Sequence, residues 1–98
     1  MPLLEINIVP VGTNTSSFSS HVGQALRLIE KRGLKYQVTP TSTVIEGELA
    51  DLMDVAKEIH EEALAGATRV VTNMTIDQRM DKPMTMEQSV ESAQESLQ

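Results

Sequence analysis

Cysteine is absent from this chain. That excludes disulfides, a thiolate nucleophile and any zinc site built on cysteine. Aromatic residues are confined to Phe18 and Tyr36, 2% of the chain, so the core has to be built from Leu, Ile, Val, Ala and Met. Positive charge is scarce as well: eight Lys and Arg stand against fourteen Asp and Glu, a net charge of −6. Affinity for nucleic acid rests on cations that neutralise phosphates and on aromatics that stack bases, so this balance argues against a nucleic-acid partner. A cationic small ligand is mildly favoured. No apolar run approaches the roughly 20 residues that span a bilayer. The opening stretch MPLLEINIVPV has no basic leader and is interrupted by Glu5 and Asn7, which reads as a strand rather than a signal peptide. A cytoplasmic protein with no membrane partner is the expectation.

What is present is a folded chain: 98 residues, 40% hydrophobic, the size of one domain. Residues 3–11 alternate, with Leu4, Ile6 and Ile8 on one face and Glu5, Asn7 and Val9 on the other, the period of a half-buried strand. Pro10 points to an edge or a bulge, and Gly12 and Asn14 to a turn. Thr15, Ser16 and Ser17 supply an N-cap for a first helix. Val22, Ala25, Leu26 and Ile29 form its apolar stripe. Lys31 and Arg32 suit its negative end, and Gly33 stops it. Strands follow over about 34–39 and 42–47, joined through Pro40. A second helix over about 49–65 carries the stripe Leu49, Leu52, Met53, Ala56, Ile59 and Ala63, and is closed by Gly66. A fourth strand covers about 68–77, with Val70, Met74 and Ile76 on one face and Val71, Asn73 and Thr75 on the other.

The order β-α-β-β-α-β predicts an α+β, ferredoxin-like sandwich over residues 1–98: a four-stranded antiparallel sheet with two helices on one face. Residues 78–98 form a C-terminal extension with a short helix through Met86, Val90, Ala93 and Leu97. Glu87, Glu91 and Glu95 repel one another along that helix, so it needs support from elsewhere. The second face of the sheet is expected to lie uncovered in a monomer, and its mixed, partly apolar surface invites a sister copy.

Few residues suggest chemistry. His60 is followed by Glu61 and Glu62, but no HExxH pattern exists, and an exposed helix face accounts for them. His21 reads as a surface or pocket-rim residue. No GxSxG elbow accompanies Ser16 and Ser17, for which capping is the plainer reading. No Walker loop or GxGxxG is present. No catalytic residue, metal site or cofactor is therefore expected. The informative stretch is YQVTPTSTVIEGEL, residues 36–49. As bare structure it is a hairpin with Thr41, Ser42 and Thr43 at its bend and an acid near a helix start. As a site, its hydroxyls, Tyr36 and Glu46 would converge on a small polar ring, the tyrosine stacking and the carboxylate accepting from an amine or pairing with a cation.

Tyr36, Val38, Pro40, Thr43, Glu46, Gly47 and Glu48 stand in a Y-x-V-x-P-x-x-T-x-x-E-G-E pattern, and Ile76, Asp77, Arg79, Asp81 and Lys82 in I-D-x-R-x-D-K. With the strand at residues 1–11, these make nearly the whole chain resemble the small thiamine-binding protein family. The resemblance implies a ferredoxin-like fold assembled into dimers and often tetramers, with sheets packed face to face. It also implies a pocket near subunit contacts for thiamine or its hydroxymethylpyrimidine part, and no catalysis. Tyr36, Thr43 and Glu46 match the motif, and Ser16 and Ser17 lie in the loop that lines the pocket in relatives. In such a pocket Glu46 would accept from the ring amine, Tyr36 would stack, and the hydroxyls would read the remaining edges. The rival expectation is a structural or regulatory homo-oligomer without a physiological small ligand, its hairpin serving only subunit contact.

Overall fold

The computed structural model describes residues 1–12, 18–81 and Met86, with backbone alone over 18–20. The elements are β1 (Leu3–Val11), α1 (Phe18–Lys31), β2 (Lys35–Val38), β3 (Thr43–Glu46), α2 (Leu49–Ala65) and β4 (Arg69–Asp77). The sheet order is β2-β3-β1-β4, and every neighbouring pair is antiparallel. The two βαβ crossovers interleave, which is the ferredoxin-like arrangement. The short strands β2 and β3 each stop about a residue inside their expected bounds, because Pro40 and the hydroxyl bend begin sooner.

Alternation along the strands becomes two faces through register. Leu4 pairs with Ile45 and Ile76, and Ile6 with Thr43 and Met74. Paired residues share a face, so these point to the helices. Leu4, Ile6, Ile29, Ile45, Leu52, Val55, Ala56 and Ile59 form the buried core, with Tyr36 packed at its margin. The core is aliphatic, as a chain nearly without aromatics requires. The helix ends follow their glycines. Gly33 takes φ +69°, and its N–H donates to the Glu30 carbonyl at 2.9 Å while that of Leu34 donates to Ile29 at 3.3 Å. That pair of bonds is a Schellman closure, which needs a left-handed residue. Gly47 is a close approach: a Cβ there would lie 2.8 Å from Leu34 Cδ2.

Two expectations need correction. The buried stripe of α2 is Leu52, Val55, Ala56, Ile59 and Ala63. Val55 replaces Leu49 and Met53, which remain 42% and 44% exposed. Both spacings suit a helix; the packed one is rotated so that Met53 lies against Thr72 and Met74 of β4 rather than over the sheet's centre. Second, the far face of the sheet is bare only in part: Val9 and Val71 are exposed, but the other end is covered. Met86 is only 5% exposed and lies among Leu3, Val44 and Thr75, residues of that face. Of the expected third helix only Met86 falls within the described residues, and it is helical. The cap at Thr15, Ser16 and Ser17 lies outside them.

Candidate ligand-binding site

Pairing of β1 with β3 stops at Ile6 and Thr43, whereas pairing with β4 continues to Val11 and Arg69. From Asn7 onward β1 therefore has a strand on one side only. Pro10 falls in this one-sided stretch, where a missing N–H is tolerated. The bend between β2 and β3 reaches across the gap, and the Asn7 side-chain amide donates to the Thr41 carbonyl at 2.6 Å. The bend is closed by its own hydroxyl residues. The Thr39 N–H donates to the Ser42 carbonyl at 2.8 Å, and the Ser42 N–H donates to the Thr39 hydroxyl at 3.0 Å.

Between β1, this bend and α1 lies a cleft of about 420 Å3. Ile6, Val9, Val22 and Val38 form its walls, and Asn7, Thr41, Ser42 and Thr43 its polar groups. Among the described residues no ionisable side chain lines it. Small-ligand pockets run to roughly 300–1,000 Å3 and combine apolar walls with a few orienting polar groups. A neutral heterocycle with donor and acceptor edges matches that lining. Asn7 escaped the sequence reading because strict alternation assigns it to the solvent side; only the place where β3 ends turns it into a cleft residue.

The expected site residues do not gather into one cluster within a single chain. Thr43 lines the cleft. Tyr36 shares its face, since Tyr36 pairs with Ile45 and Val38 with Thr43, but its hydroxyl donates to the Glu30 carboxylate of α1. That hydrogen bond, with burial and the negative charge of Glu30 adding to it, raises the phenol pKa above its ordinary value of 10.0. Glu46 sits on the opposite face, where its register partners are Leu3 and Lys35. Ser16 and Ser17 lie outside the described residues.

A second cleft, of about 320 Å3, opens on that opposite face, where Glu5 and Asp77 flank the apolar Leu3, Val44 and Met86. On the helical side, a His60 Nδ1–Thr72 Oγ1 hydrogen bond of 2.6 Å ties α2 to β4. Among the described residues no three His, Asp or Glu are grouped as metal ligands, and no helix is long and apolar enough to cross a membrane.

Fold and cleft together define a ferredoxin-like α+β domain with a cavity of small-ligand size, lined among the described residues by apolar and neutral polar groups. The chain belongs to the thiamine-binding protein family, whose sequence profile matches residues 4–94. It is 42% identical to the UPF0045 protein YqgV of Bacillus subtilis, over all of this chain and 99% of that one. The crystal structure of the hypothetical protein MJ1052 of Methanocaldococcus jannaschii superposes with a TM-score of 0.87 at 33% identity, covering 96% of each chain. A Thermotoga maritima protein provisionally named for thiamine biosynthesis or salvage superposes with a TM-score of 0.78 at 28% identity, over 94% of this chain and 97% of that one. The family is named for binding rather than for a reaction.

Proposed function

We propose that this chain binds thiamine or a thiamine-related pyrimidine without catalysis, as a cytoplasmic homo-oligomer. The observation that carries the reading is the cleft where β1 outruns β3, with the neutral polar Thr43, Thr41, Ser42 and Asn7 on apolar walls. An aminopyrimidine presents donors and acceptors on its edge and a flat apolar face, and hydroxyl and amide groups serve both kinds of edge. The family's name and the provisional name of the Thermotoga neighbour support the same ligand class. Thr43 is the proposed direct contact. Ser16 and Ser17 precede α1, whose Val22 walls the cleft, and they are proposed as further contacts. Tyr36 is anchored to Glu30 and Glu46 lies across the sheet, so in this reading they reach ligand through self-association.

Calorimetric titration with thiamine and with hydroxymethylpyrimidine tests this. Thr43→Val keeps the shape and removes one hydrogen bond, so affinity should fall about tenfold with the thermal midpoint nearly unchanged. Glu46→Gln should weaken binding only in the assembled protein. Absence of binding heat with either ligand at millimolar concentration would overturn the reading. A second reading, a structural or regulatory oligomer without a small ligand, is favoured by one observation: the Thr39 and Ser42 groups already bond each other.

A further inference from the structure

We propose that the groove between α2 and β4 binds a soft monovalent cation, copper(I), through the Met53 and Met74 thioethers and Nε2 of His60. The groove lies apart from the cleft at the β2–β3 bend, and nothing in its chemistry depends on thiamine binding.

The groove has a volume of about 350 Å3. Met53, Ala56, Lys57, His60 and Glu61 line it from α2, at the i, i+3, i+4, i+7 and i+8 spacing of one helical stripe. Thr72 and Met74 line it from β4. Being two residues apart, they point from the same side of the sheet, the helical side, because their partners on β1 are Ile8 and Ile6. Met53 precedes His60 by two helical turns, about 10 Å along the axis. A thioether on a flexible stem and an imidazole can close that gap on one ion, with Met74 reaching in from the sheet. Core packing does not account for the two methionines, which are 44% and 41% exposed.

His60 is already oriented for such a role. It is half-buried, and its Nδ1 lies 2.6 Å from Thr72 Oγ1. With Nδ1–H donating to that hydroxyl, Nε2 keeps its lone pair, and a ligating imidazole is normally fixed in this way through its other nitrogen. The donor set selects the ion. Thioethers are soft, neutral ligands that favour copper(I), whereas hard cations take oxygen. Lys57 on the rim is offset by Glu61, with Nζ 4.0 Å from Oε1. No cysteine exists to compete for the ion. The sequence expectation of no metal site rested on His, Cys and carboxylate spacings, and a pair of thioethers from a helix and a distant strand is outside all of them.

Anaerobic titration of the full chain with copper(I), in competition with a chromophoric copper(I) chelator, should show a single equivalent bound per chain. Silver(I), a redox-inert ion of the same charge and softness, should shift the NMR signals of the Met53 and Met74 methyl groups and of His60 Nε2 more than those of Met1 and Met80. Thr72→Val frees the imidazole and should weaken copper(I) binding about tenfold. Met53→Leu and Met74→Leu keep the side-chain volume but remove one donor each, and should weaken it further. Met80→Leu, at a methionine 92% exposed and outside the groove, should leave affinity unchanged. Circular dichroism checks that each variant is folded. Failure to hold copper(I) against the chelator, silver shifts spread evenly over the methionines, full affinity in Met53→Leu or Met74→Leu, or zinc bound as tightly as copper(I) would each overturn the proposal.

Discussion

The two edges of the sheet are built in opposite ways. β2 is four residues long, begins with Lys35 and is followed at once by the bend containing Pro40. Its one aromatic, Tyr36, turns toward the helices and is held by Glu30. A strand that short, flanked by a lysine and a proline, offers little to an incoming strand. β4 is nine residues of mostly β-branched and small polar side chains, with charge only at its ends. The helices contribute to the contrast: α1 ties down β2 through Glu30, whereas the rotation of α2 leaves Met53 exposed beside Thr72 and Met74 of β4. One edge is closed by local chemistry, and the other is longer and carries no proline or lysine. The difference teaches that strand length and end charges, rather than apolar exposure alone, distinguish the two edges, since Val38 of β2 is exposed as well.

The largest expected effect breaks the β2 side. Ile45 is fully buried and pairs with Leu4 on one flank and Tyr36 on the other. Ile45→Ala should destabilise the fold by about 2–5 kcal/mol through lost burial and a cavity, measured by urea unfolding. Hydrogen exchange should then show β2 amides losing protection before those of β1 and β4, since β4 is held by β1 along its whole length. A smaller effect sharpens the comparison at the bend. Thr39→Val removes the hydroxyl that accepts from the Ser42 N–H and donates to the Ser42 carbonyl. It should cost about 1 kcal/mol by the same assay and leave self-association unchanged.

The smallest effect concerns the Tyr36 anchor. Folding raises its phenol pKa, first through the hydrogen bond to Glu30. A raised pKa means that the folded state holds the proton more tightly. The stabilisation is therefore fully present below about pH 10, the unfolded value, and lost as pH rises through the folded one. Tyr36→Phe should flatten the alkaline decline in thermal midpoint while changing the neutral midpoint little, because the ring keeps its packing at the core margin.

Much of this was legible before any coordinates. Alternation in residues 3–11, the glycine stops of the helices and the hydroxyl bend specify element order, and the interleaved crossovers then follow. The phase of α2 was not legible, because Leu49 and Met53 fit a helical stripe as well as Val55 does, and only docking on the sheet distinguishes them. The motif that includes Tyr36, Thr43 and Glu46 was visible as a pattern. Strand parity, once β3 is paired, sends Glu46 to one face and Tyr36 and Thr43 to the other, so nearness in sequence did not become nearness in space. Asn7 joined the cleft for a reason no local pattern carries: β3 ends while β1 continues.

The amino-acid order by itself determined the aliphatic core, the six elements and their turns, because those depend on propensity, periodicity and capping within a few residues. Only the tertiary structure decided which edge lies open, which side of α2 is buried and where a cleft forms. Those depend on register and on the unequal lengths of strands far apart in the chain, and no local interaction encodes them.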